Sequence, residues 1–154
     1  MNPLQNLLLQ LENHIPNLEK INSKVSSSTV GWQIDHCLLV INGIIGQLEV
    51  SNPSDYRPKF NFPKFIVFTI GKIPRGKAKA PKSARPEGNQ SPEDLRNRIP
   101  GLKEKLAGLT KLHPNANFQH PFFGNLNLKT TFRFLFVHNQ HHLKIVQDIL
   151  AQKQ

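Results

Sequence analysis

Apolar residues recur along this chain at helical spacing, in four long stretches separated by polar or irregular segments. Leu4, Leu7, Leu8, Leu11, Ile15 and Leu18 repeat with a period near 3.6 and predict a first helix. Asn2 is its expected N-cap, Pro3 its first helical residue and Pro16 a site for a kink. Residues 26–29, Ser-Ser-Ser-Thr, form a polar connector able to cap the next helix. That second helix is expected over about residues 30–49, with a wide apolar arc of Cys37, Val40, Ile41, Ile44 and Leu48. Asp35, Asn42 and Glu49 mark its opposite side, and Gly43 would allow another helix or a ligand to come close.

A long excursion comes next. Asn52-Pro53-Ser54-Asp55 is turn chemistry. Asn61 can cap a short helix with Phe62, Phe65, Ile66, Thr69 and Ile70 on one side and Gly71 at its end, although Phe65-Ile66-Val67-Phe68 could also serve as a strand. Residues 72–86 read as an irregular loop with three prolines, and loops of that length are usually functional or mobile. Ser91-Pro92-Glu93-Asp94 is a strong helix start, leading into the stripe Leu95, Ile99, Leu102, Leu106 and Leu109, with Pro100-Gly101 expected to bend or split it. Residues 113–124 read as a loop, and a last helix capped by Asn127 runs to about Ala151. Four long helices and no convincing alternating strand predict an all-α chain, a four-helix bundle with a long basic loop and a short extra helix between the second and third long helices. Its 154 residues suit one domain spanning 1–154.

Composition refines this picture. A lone cysteine, Cys37, excludes an internal disulfide and fits a reducing, cytoplasmic setting. The start lacks basic residues and its apolar stretch is soon interrupted by Glu12 and His14, so a signal peptide is not expected. No apolar run approaches the ~20 residues of a membrane span, so no membrane is expected as a partner. The net charge of +10 is concentrated in residues 57–85, where Arg57, Lys59, Lys64, Lys72, Arg75, Lys77, Lys79, Lys82 and Arg85 occur without an acid. Such a segment can be a solvated loop, or can meet a small anionic substrate, an acidic protein or nucleic acid. It is not expected to carry the exposed interleaved aromatics of a single-strand binder, which disfavours nucleic acid.

The chemistry lies in the histidines. On the last helix, His138 and His142 are four residues apart and fall within the core-facing stripe of Phe134, Leu135, Ile145 and Ile149. His36 falls within the apolar arc of the second helix. Three imidazoles from two helices could bind one divalent ion and leave a position open, as catalytic zinc sites do. The alternative is a structural set of buried histidines that satisfy one another. His141 sits at the edge of the stripe, and His120 precedes the last helix in a loop that could lie over one end of the bundle; both are candidates for a catalytic acid or base. Cys37 reads as a buried inert thiol. The pair lacks the glutamate of H-E-x-x-H, and no Gly-rich phosphate loop, carboxylate pair or serine triad is evident.

At Gly31-Trp32 followed by His36, and at His138-Asn139-Gln140-His141-His142, the chain resembles the DinB-like superfamily of metal-dependent bundles. His120-Pro121-Phe122-Phe123-Gly124-Asn125-Leu126 resembles a branch of it with no assigned function. The resemblance implies up-down-down-up topology and a divalent ion, zinc or nickel, on the positions of His36, His138 and His142. It also implies kinship with transferases that use a low-molecular-weight thiol and with thiol-dependent isomerases, and it makes a homodimer an expectation. Leu143-Lys144-Ile145 stands where related motifs often continue Arg-Gly-Gln, and the basic insertion is not general to the superfamily. The expectation is a metal-dependent hydrolase or thiol transferase. The competing one is a non-enzymatic module docking an acidic partner or nucleic acid through residues 57–85.

Overall fold

The computed structural model describes residues 3–76 and 80–151. It is mostly helical: α1 (Pro3–Asn13), α2 (Val30–Val50), α3 (Phe62–Ile70), α4 (Pro92–Gly108) and α5 (Leu128–Ala151), with a two-stranded sheet before α5. The proposed cap Asn2 and the basic residues Lys77 and Lys79 lie outside the described residues.

Local chemistry starts the helices. The Thr29 hydroxyl accepts from the backbone N–H of Trp32 at 3.1 Å, and Asn61 Oδ1 accepts from that of Lys64 at 2.8 Å. Ser91 and Asn127 cap α4 and α5 through the N–H groups of Asp94 and Thr130. Gly71 ends α3 in the left-handed region, at φ +71°. The predicted stripes then face inward: Leu4, Leu7, Leu8 and Leu11 of α1 and Leu95, Ile99, Leu102 and Leu106 of α4 are all buried. α1 and α2 each pack against both α4 and α5.

Several expectations are corrected. Pro16 does not kink a continuous helix; α1 stops at Asn13 and Ile15–Asn17 form a separate 3-10 turn with Pro16 inside it. Pro100 does not split α4, which runs unbroken from Pro92 to Gly108 with Pro100 on its exposed side. Phe65-Ile66-Val67-Phe68 is helical. Residues 113–124 are not simply a loop: β1 (Asn117–His120) pairs antiparallel with β2 (Gly124–Asn127), Phe118 opposite Leu126. Those two are buried while the other strand residues are not, so too few apolar positions alternate to reveal the hairpin in sequence. Gly43 is exposed with nothing near its missing side chain, so it mediates no close approach. Asp35 is buried rather than solvent-facing, ion-paired to Arg98 of α4 at 2.8 Å. The aromatics of the basic segment are outside: Phe60, Phe62 and Phe65 are exposed among Lys59 and Lys64.

Candidate metal centre

His36 lies in the second turn of α2, and His138 and His142 lie one turn apart on α5, which packs against it. One ligand nitrogen from each of the three rings lies within 4.8 Å of the others. His36 Nε2 and His138 Nε2 are 3.2 Å apart. At zinc–nitrogen bonds near 2.1 Å, tetrahedral ligands stand about 3.4 Å from one another, so this pair already has the spacing of two ligands. His36 and His138 are buried, and His142 is half-buried.

The outer nitrogens of two rings are held by acceptors. His36 Nδ1 donates to the Ala84 carbonyl at 2.6 Å, and His142 Nδ1 donates to Gln33 Oε1 at 2.6 Å. A carbonyl only accepts, so His36 carries its proton on Nδ1 and presents a bare lone pair at Nε2. The same holds for His142 opposite the Gln33 oxygen. His138 can offer a single Nε2–H, which serves one of those lone pairs and not both. Its own Nδ1 is buried without a partner. One imidazole N–H cannot serve two lone pairs at once, and a cation among the three rings could take up the one left over. Outer nitrogens held by carbonyl oxygens are the usual support of ligating histidines.

Burial keeps these rings in the neutral form that ligation needs. Desolvation pushes the pKa of His138 and His142 well below the ordinary value, and the neighbouring imidazoles push the same way. His36 is lowered by burial, partly offset by its bond to Ala84 and by the charge of Asp35. Burial also pushes the Cys37 thiol up, consistent with an inert side chain.

The surroundings explain parts of the local sequence. Trp32 stacks on His36 with ring centroids 5.0 Å apart and planes at 15°. At Gly31, an added Cβ would sit 3.3 Å from the Leu18 carbonyl oxygen, whose partner is the Gly31 N–H at 2.9 Å. The glycine lets the start of α2 close against that turn and so sets the position of Trp32.

His141 and His120 do not join the three-nitrogen cluster. The His141 ring stands edge-on to His142 at 5.1 Å. Burial and nearby Arg75 lower its pKa. His120 ends β1, and its Nδ1 accepts from the backbone N–H groups of Phe122 and Phe123, each at 3.1 Å. Its ring stacks on Phe123 at 4.5 Å and meets Phe134 edge-on at 4.5 Å. Burial lowers its pKa to about 4.

A sequence model of the DinB superfamily matches residues 12–146, which include every residue of this cluster and most of the chain. The chain belongs to the DinB superfamily. No curated protein and no solved structure matches it. Membership and the three-histidine cluster are together compatible with metal binding in this DinB protein. Sequence reasoning missed Gln33 and Ala84, the partners that aim the rings. Gln33 looks like any polar residue near a helix start, and Ala84 acts through its main chain. It also missed the Asp35–Arg98 pair, for which Arg98 gives no local signal.

Proposed function

We propose that this DinB protein is a metal-dependent enzyme, a hydrolase or thiol transferase, with His36, His138 and His142 as the ligands of zinc or nickel. The observation that carries the reading is the gathering of one nitrogen from each of three imidazoles within 4.8 Å, with the Nδ1 atoms of His36 and His142 engaged by Ala84 and Gln33. An ion there would act as a Lewis acid, lowering the pKa of a water or thiol in its remaining position. The residues of the chain supply the rest. Trp32 covers the His36 ring and excludes solvent from that side. Of the two acid–base candidates, His141 fits better: it adjoins His142 and its lowered pKa leaves it neutral and able to accept a proton. The Nδ1 of His120 is already engaged by two N–H groups. Lys and Arg side chains of the basic loop would draw an anionic substrate toward the site.

The packing of α1 and α2 on both α4 and α5 supports reading these four as the up-down-down-up bundle of the superfamily, with α3 and the hairpin as additions.

The test is elemental analysis of protein purified without a tag or chelator, then loaded with zinc, nickel or manganese. About one ion per chain is expected for a three-ligand site, and none in the His138→Ala/His142→Ala double variant. Full uptake by the double variant would overturn the ligand assignment. A loaded protein inert toward panels of hydrolysable esters and of thiol cosubstrates with electrophiles would overturn the enzymatic part alone.

A further inference from the structure

An amphipathic helix normally turns its apolar stripe inward, and α3 does the opposite. Val67 is buried and Phe68 half-buried against the rest of the fold. The stripe of Phe62, Phe65, Ile66 and Ile70 faces outward, with Phe62 63%, Phe65 54% and Ile70 60% exposed. Phe60, at 82%, and Phe122, at 54%, extend the same apolar surface. The Phe60 and Phe65 rings are 6.4 Å apart, and Asn61 Nδ2 donates to the Phe122 carbonyl at 3.0 Å, tying the hairpin turn to the start of α3. Monomeric soluble proteins rarely expose so many large apolar side chains together.

From Arg57 onward the charged residues that flank this face in the chain are basic, with exposed Asp55 just before them. Exposed Arg57 and Lys59 precede it and exposed Lys72 comes after it, in a stretch with no acid between residues 57 and 85. Arg75 adds little to this charge because Asp148 neutralises it at 2.6 Å.

We propose that this face docks on the surface of an anionic phospholipid bilayer. The phenylalanines and Ile70 enter the boundary between headgroups and acyl chains, and Arg57, Lys59 and Lys72 meet the headgroup phosphates. Such a helix lies in the interface and needs no spanning length, so the lack of a membrane-crossing helix among the described residues does not bear on it. Hydropathy along the chain offers no reason to expect a membrane partner; the outward turn of the stripe supplies one. A second copy of the chain fits less well, because a two-fold contact through this face would bring the basic residues of both copies together with no acid in the segment to meet them. Single-stranded nucleic acid fits less well: Phe60, Phe62, Phe65 and Phe122 offer rings for bases, but they stand with Ile66 and Ile70 on the convex side of a helix rather than along a groove.

Co-sedimentation of the full chain with phosphatidylcholine vesicles, with and without phosphatidylglycerol, tests this. At low salt, binding to the anionic vesicles should exceed binding to the neutral ones by about tenfold and fall as sodium chloride is added. A Phe65→Asp/Ile70→Asp variant should lose about ten-fold in binding with an unchanged melting temperature, since both side chains are exposed. A Lys59→Gln/Lys72→Gln variant should bind less while keeping the apolar face. No binding to anionic vesicles would overturn the proposal, as would binding that survives Phe65→Asp/Ile70→Asp. A dimer, or an oligonucleotide complex, that is lost in that variant while vesicles are ignored would reassign the face to that occupant.

Discussion

Gln33 on α2 accepts a hydrogen bond from His142 on α5 across 2.6 Å, and its own amide nitrogen donates to Ser26 Oγ at 3.2 Å. A residue that touches no metal position thus sets which nitrogen of His142 is bare. Replacing Gln33 with Leu removes the acceptor and frees the ring to turn. Metal affinity should fall by about 10–100-fold with the helical content intact, the usual cost of losing such a support. A competition titration against a chromophoric chelator measures it, and unchanged affinity would show that the ring is aimed by packing alone.

Ligand binding to the native state alone raises stability. At free zinc about 100 times its dissociation constant, wild-type protein should gain about 2.7 kcal/mol. The His138→Ala/His142→Ala variant should gain nothing. Thermal unfolding in the presence and absence of the ion reads both.

The Asp35 carboxylate is buried against α4, where Arg98 also reaches Asp94 at 3.0 Å. Changing Arg98 to Met strands a charge next to His36. The expected loss is about 1–3 kcal/mol, more than an exposed pair would give. The double change with Asp35→Asn should cost less than the two single changes added together, which urea unfolding of the four proteins would show.

His120 gives a pH dependence with a definite sign. Burial lowers its folded pKa to about 4, against an ordinary value of 6.5. Between these values the unfolded chain holds a proton that the folded chain lacks. Its contribution is therefore fully present above 6.5 and is lost as pH falls toward 4. An Asn at this position keeps an acceptor for Phe122 and Phe123 but cannot titrate. Relative to wild type, His120→Asn should flatten the fall in stability across that window by up to about 1.4 kcal/mol per pH unit. Equal slopes would mean that His120 titrates normally.

The helices were legible because their signals are local: Thr29, Asn61, Ser91 and Asn127 cap where their side chains predict, and the leucine stripes bury as their spacing demands. The meeting of His36 with His138 and His142 was legible because all three fell on apolar faces, where an imidazole needs a partner. What stayed hidden is tertiary. The Ala84 carbonyl becomes a partner only because the turn Lys82–Ala84 packs on α2. The outward turn of α3 could not be read from its periodicity, since a stripe gives a direction relative to the helix and not to the rest of the molecule.

His36 and His138 are 102 positions apart in the chain yet 3.2 Å apart in space. In an unfolded chain, gathering them around an ion would require closing a loop of that length, at an entropic cost of about 4.7 kcal/mol. Folding has already met that cost through the contact of α2 with α5. For an ion held as proposed above, the backbone between the two histidines would act as a preformed chelate ring. It would favour capture by the native molecule over capture by the same imidazoles on a loose chain by roughly three powers of ten.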